Sequence, residues 1–194
     1  MKISKATKLF ILGALLVVID QVIKALVKTE MSLGETINVI GDWFKLHYVL
    51  NEGMAFGMAF GGFFGKALLS IFRIVLFGGL CWWIRNLSRK PETPVGVLVG
   101  LTMITAGAMG NIIDCFFYGL IWPEITMPGA PFAFMFGRVV DMFYFPLFDY
   151  KLPWMAYPQT FFGAVFNFAD SCVTCGAIYL LLFQYKFFAK DEKK

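Results

Sequence analysis

The stretch Val165-Phe166-Asn167-Phe168-Ala169-Asp170-Ser171 opens the last long apolar run of the chain and sets a carboxylate a few residues inside it. An ionisable side chain on a membrane helix costs about 2.5–3.5 kcal/mol on insertion scales, so Asp170 is a functional candidate by default. Two further stretches, Gly110-Asn111-Ile112-Ile113-Asp114 and Val139-Val140-Asp141, carry carboxylates that point to the same place. The rest of the chain reads as the scaffold that brings the three together.

The 194 residues are 59% hydrophobic and 15% charged, whereas a soluble domain averages about 25% charge. The composition therefore predicts an integral membrane protein, in one domain over residues 1–194. The net charge of +4 is no nucleic-acid signal, because the basic residues flank apolar runs instead of forming a patch. Cys172-x-x-Cys175 has redox spacing but lies in an apolar run without a βαβ context, and Cys81 reads as a small buried hydrophobe. With His47 as the sole histidine, neither a zinc site nor a Ser-His or Cys-His mechanism is expected, and no metal or cofactor is predicted.

Four apolar runs, at about 8–28, 66–85, 94–114 and 163–187, are long enough to span a bilayer, which takes about 20 residues. The fold class expected is an all-α polytopic membrane protein with four transmembrane helices. Asp20 interrupts the first run and no small-residue cleavage site follows, so it reads as a retained helix. Lys2, Lys5, Lys8, Arg85, Arg89, Lys90, Lys186, Lys190, Lys193 and Lys194 fall on one side, which predicts cytoplasmic termini and two outward loops, 29–65 and 115–162.

The segments 36–40 and 44–50 have strand composition around Gly41-Asp42, so a small antiparallel element is expected on the outer surface. The glycine- and phenylalanine-rich stretch 53–64 reads as an interfacial segment or flap. The second loop is rich in Pro, Gly and aromatics, fitting both packing at the membrane surface and a lipid-accessible pocket wall.

Depth then sorts the carboxylates. At 1.5 Å per residue Asp170 lies roughly 8–10 Å below the outer boundary and Asp20 roughly 12 Å deep. Lys24 is one turn further on, a natural partner for Asp20. Asp114 ends the third run, and Asp141 must fold back to join the others. Two carboxylates a few ångströms apart cannot both ionise, so one stays protonated and can donate while the other takes a proton from water. Asn51, Asn111 and Asn167 lie near the same surface and can hold a peptide backbone or satisfy helix ends. A proton-coupled carrier is the rival reading, though Val95 to Met103 offers almost no polar group for a path across the membrane. A non-catalytic lipid-binding protein is a third, and it needs no paired aspartates.

These residues also carry a resemblance. Asp20-Gln21-x-x-Lys24, Asn51-x-Gly53-x-Ala55-Phe56-Gly57, Gly110-Asn111-x-x-Asp114, Gly137-x-Val139-Val140-Asp141 and Phe166-Asn167-x-Ala169-Asp170-Ser171 occur in the order found in type II signal peptidases. The chain thus resembles the bacterial lipoprotein signal peptidases. The resemblance implies four helices with a small extracytoplasmic β platform, multi-pass in the cytoplasmic (inner) membrane with the active site toward its outer face. It implies an intramembrane aspartyl endopeptidase that cleaves prolipoproteins before a diacylglyceryl-modified cysteine. Catalysis falls on Asp141 and Asp170, with Asp20, Lys24, Asn51, Gly53, Asn111, Asp114, Asn167 and Ala169 in supporting positions. The implied partners are the prolipoprotein, membrane lipids and globomycin-like inhibitors, the implied state a monomer.

Two departures stand out. Cys115 occupies a position where the family usually has Arg, a role that passes to Arg138 or is lost. The segment 120–136 reads as an insertion between Asp114 and Asp141.

Overall fold

The computed structural model describes residues 3–52 and 62–191. Gly53 and most of the stretch read as a flap lie outside the described residues. The chain runs α1 (Lys5–Glu30), β1 (Thr36–Ile40), β2 (Phe44–Asn51), α2 (Gly62–Ser88) and α3 (Val95–Ile113). A π-helical turn (Asp114–Tyr118), α4 (Gly119–Ile121) and a 3-10 turn (Pro123–Ile125) lead into β3 (Val139–Tyr144), β4 (Phe148–Tyr150) and β5 (Gln159–Phe161). The chain closes with β6 (Val165–Phe166), α5 (Phe168–Phe183) and α6 (Tyr185–Asp191).

Polarity is inverted relative to a water-soluble protein. Asp20, Lys24, Lys66 and Asp114 are each at most 1% exposed, while Phe10 is 75% exposed, Phe64 78% and Leu181 71%. Apolar side chains that face outward around buried charges need lipid as their solvent. Among the described residues, three helical stretches, Lys5–Glu30, Gly62–Ser88 and Val95–Ile121, are long and apolar enough to cross a membrane. The fourth run holds a shorter apolar helix, the 16-residue α5, because β6 takes its first residues. α2 begins at Gly62, so Phe63 and Phe64 belong to a helix and not to the preceding irregular stretch.

α1 starts at Ser4, whose hydroxyl accepts from the Thr7 amide, one of the orphan donors of a first turn. It buries only a stripe that includes Asp20, Lys24 and Val27, at intervals of four and three. That stripe faces α3, the central helix, which also packs on α5 and α2. The α3–α5 approach is close because glycines line it. A Cβ at Gly110 would come 3.1 Å from the Ala169 Cβ of α5, and one at Gly176 2.8 Å from the Gly100 carbonyl. At Gly107 it would meet the Ala169 carbonyl, one residue before Asp170. Gly107→Ala is therefore expected to force α5 away from α3 and to cost about 1–3 kcal/mol. Thermal unfolding in detergent measures it.

The expected hairpin is present: β1 and β2 pair antiparallel, with a register shift between Asn38 and Ile40. The second loop contributes more strand than its composition announced. Among the described residues one sheet has the order β1-β2-β3-β6, and β4 and β5 form a separate hairpin. β3 is the strand that composition hides, because it is buried on both faces. Val140 and Met142 pack with Val27, Met31, Tyr48 and Tyr118, while Val139 packs with Ile112, Cys115 and Phe116. The segment 120–136 closes on itself: Met127 N–H donates to the Phe136 carbonyl at 2.9 Å and Gly137 N–H to the Cys115 carbonyl at 3.0 Å. An ion pair from Lys28 to Glu124 at 2.8 Å ties it to the end of α1.

Candidate active site

Asp170 owes its position to a helix cap. Asn167 is the N-cap of α5: its Oδ1 accepts from the Asp170 amide at 2.9 Å, and Asp170 Oδ2 accepts from the Asn167 amide at 3.2 Å. This reciprocal box satisfies two donors of the first turn. It leaves Asp170 Oδ1 to accept from Asn111 Nδ2 on α3 at 2.9 Å.

Asp141 comes from the sheet. β3 pairs with β2 so that Val49 faces Asp141 and Asn51 faces Val139. Residues two apart on a strand share a face, and diagonal neighbours are within reach of each other. Asn51 Nδ2 accordingly donates to Asp141 Oδ2 at 3.0 Å. On its other edge β3 pairs with β6, Phe143 opposite Phe166. The next residue is Asn167, and its Nδ2 reaches Asp141 Oδ1 at 2.6 Å. One asparagine thus binds both aspartates.

A second layer fixes the amides. Lys24 Nζ pairs with Asp20 Oδ2 at 2.9 Å and Asp114 Oδ2 at 2.7 Å, and donates to Asn111 Oδ1 at 3.0 Å. An ammonium has three donors, and all three are engaged. Because Lys24 holds the oxygen of Asn111, the amide nitrogen of Asn111 turns to Asp170. Asn167 Nδ2 donates to the same Asn111 oxygen at 3.1 Å. Asp20 Oδ1 accepts from the Ala169 amide at 2.8 Å, which docks the first turn of α5 on α1.

Burial, and then the charge of Asp170, push the Asp141 carboxyl up from the ordinary carboxylate range to about 7, against the bonds donated by Asn51 and Asn167. Among the described residues no three His, Cys, Asp or Glu side chains form a group that could hold a metal ion. The carboxylates are engaged by amides and by Lys24 instead.

The structure brings together Asp20, Lys24, Asn51, Asn111, Asp114, Asp141, Asn167, Ala169 and Asp170. Arg138 lies apart, its guanidinium donating to the carbonyls of Ile125 and Glu124 at 3.3 Å each. The cation at Cys115 is Arg73 of α2, whose Nη1 lies 3.1 Å from the thiol sulfur. Gln21 is a participant the residue-by-residue reading left out. Its Nε2 donates to Asp114 Oδ1 at 3.0 Å, Asp20 Oδ2 at 3.1 Å and the Gly110 carbonyl at 3.2 Å. Its place beside Asp20, in a run otherwise apolar, was the signal.

With this geometry in view, a sequence model of signal peptidase II matches residues 12–186. The chain belongs to the signal peptidase II family. A lipoprotein signal peptidase of Porphyromonas gingivalis is 45% identical over 181 residues, covering 87% of this chain and 78% of that protein. One from Amoebophilus asiaticus is 38% identical over 185 residues, covering 92% and 78%. A solved bacterial membrane enzyme shares the fold with a TM-score of 0.68 at 22% identity, covering 96% of this chain and 93% of its own. As a signal peptidase II, the protein is a hydrolase whose helices are apolar enough for the membrane.

Proposed function

We propose that this signal peptidase II removes the signal peptide of prolipoproteins by an aspartyl mechanism, with Asp141 and Asp170 as the dyad. The observation that carries this is Asn167, which bonds Asp141 through its side chain and Asp170 through its backbone and carbonyl oxygen. The charge of Asp170 so close by favours the protonated form of Asp141.

Asp170, half-buried at the start of α5, takes a proton from water as the oxygen attacks the scissile carbonyl carbon. Asp141 in its protonated form donates to the carbonyl oxygen. When the tetrahedral adduct collapses, the carbonyl reforms and its proton returns to Asp141, the C–N bond breaks, and the leaving amine takes the proton held by Asp170. Hydroxyl and hydrogen of one water are thus divided between the two products. The bond cleaved is the one before a diacylglyceryl-modified cysteine, with the acyl chains against the exposed apolar helix faces. The distribution of the basic residues supports termini in the cytoplasm and a dyad toward the outer face. Globomycin-like cyclic peptides are expected to inhibit.

Asp141 titrates upward, so its proton-bound form prevails below about 7 and is lost as pH rises through that value. The rate of cleavage is expected to fall on the alkaline side with a midpoint near it. Initial rates across pH, on a synthetic diacylglyceryl prolipoprotein in detergent, test this. A rate that stays flat to pH 9 would remove Asp141 as the acid. The same substrate tests the reaction itself, since the cut must fall before the lipidated cysteine.

A further inference from the structure

Lys66, at the start of α2, is 1% exposed and its ammonium donates to the Glu52 carbonyl at 2.8 Å. The ion pairs among the described residues do not include it. The charged and titratable groups around it are Cys115, Arg73, Glu52 and Arg138, two of them cations. The stretch 53–61 just before α2 contains no ionisable side chain. Lys66 is thus a desolvated cation, near the positive end of a helix and beside two guanidinium groups. Each of these is a cost, and what the bond gives in return is a fixed carbonyl.

That carbonyl sits at a sensitive place. Glu52 follows Asn51, the last residue of β2, and the ladder with β3 ends at the Asn51–Val139 pair. Beyond that pair the Lys66 bond takes hold of the chain. Asn51 is the residue that donates to Asp141 Oδ2 at 3.0 Å.

We propose that Lys66 is a positioning residue, which by fixing the Glu52 carbonyl holds Asn51 against Asp141. The inference rests on the dyad reading above. The groups that face Asp141 are Asp170, Asn51, Asn167 and Lys24. Lys66 is not one of them, so it reaches Asp141 through geometry and not through its charge.

The test is a double-mutant cycle in the cleavage assay, run across pH with Asp141→Asn as control. Lys66→Met, or Lys66→Gln should the former not fold, is expected to lose on the order of 10²-fold in kcat with little change in KM, the cost of misplacing a reacting group by about 1 Å. An Asn donor favours the ionised carboxylate, so losing it lifts the alkaline limb to higher pH. Asn51→Ala is expected to lift the limb by the same amount, and the double variant to add nothing further. Lys66→Arg keeps the donor and is expected to restore both rate and limb.

Wild-type kcat and limb in a folded neutral variant at 66 would overturn the proposal. So would losses that multiply in the double variant, or Lys66→Arg as impaired as Lys66→Met. An active Asp141→Asn control would overturn the dyad reading and this inference with it, a result distinct from all the others.

Discussion

Asp170→Asn and Asp141→Asn are each expected to cut cleavage by on the order of 10⁴-fold, the upper end of what a positioned acid or base contributes, and to leave a folded protein. Asparagine has the shape of aspartate but neither takes a proton from water nor donates one as an acid. The fold is expected to tolerate the change because among the described residues neither side chain is in an ion pair. The local cost is small and calculable. At 170 both oxygens accept N–H bonds, from Asn111 and from the Asn167 amide. A new NH2 must face one of these donors, and Asn111 cannot turn its own amide because Lys24 holds the oxygen. One lost bond is worth about 1 kcal/mol. Cleavage of the lipidated substrate and thermal unfolding, measured on the same preparations, separate chemistry from stability. Cleavage retained by either folded variant would end the dyad assignment.

Lys24→Met is the second large effect, and it falls on stability first. Lys24 is fully buried between Asp20 and Asp114, themselves 1% and 0% exposed. Removing the cation leaves two buried carboxylates side by side, and breaking a buried pair in this way costs about 3–5 kcal/mol. It also removes one of the two donors to the Asn111 oxygen, leaving only Asn167 to orient the amide that donates to Asp170. Denaturant unfolding measures the first consequence and kcat the second. Adding Asp20→Asn and Asp114→Asn to Lys24→Met removes the stranded charges. That triple variant is expected to regain much of the stability while cleavage stays reduced, since Asn111 still lacks its bond from Lys24. A Lys24→Met protein as stable as the wild type would show that the triad is not a desolvated ion cluster.

Polar side chains in an apolar helix are tolerated only when every donor and acceptor is matched. Gln21, Lys24, Asn111 and Asn167 form such a matched set around four aspartates, Asp20, Asp114, Asp141 and Asp170. Of the two aspartates proposed as the dyad, Asp170 is the half-buried one and Asp141 the buried one.

Much of this is local and was legible in the sequence. Asp20 and Lys24 stand four apart and must share a helix face. The strands around Gly41-Asp42 follow from β-rich composition and a turn, and their observed bounds, 36–40 and 44–51, agree. Asn167-x-x-Asp170 has the spacing of a capping box, so the geometry between them was fixed by one turn of backbone. The apolar runs fixed a membrane protein, because that much apolar surface cannot be covered otherwise.

What tertiary structure alone decided is how the distant pieces meet. Asp141 reaches Asp170 because β3 pairs with β2, about 90 positions away in the chain, and with the two-residue β6. A strand buried on both faces shows no alternation, and a two-residue strand shows no pattern at all. Only the folded chain shows that the α2 cations Lys66 and Arg73 reach the Glu52 carbonyl and Cys115, while Arg138 bonds the carbonyls of Ile125 and Glu124. Spacing encodes which residues share a turn or a strand face. Which helix face meets which strand is settled by burial and by the matching of donors to acceptors, and those exist only once the chain has folded.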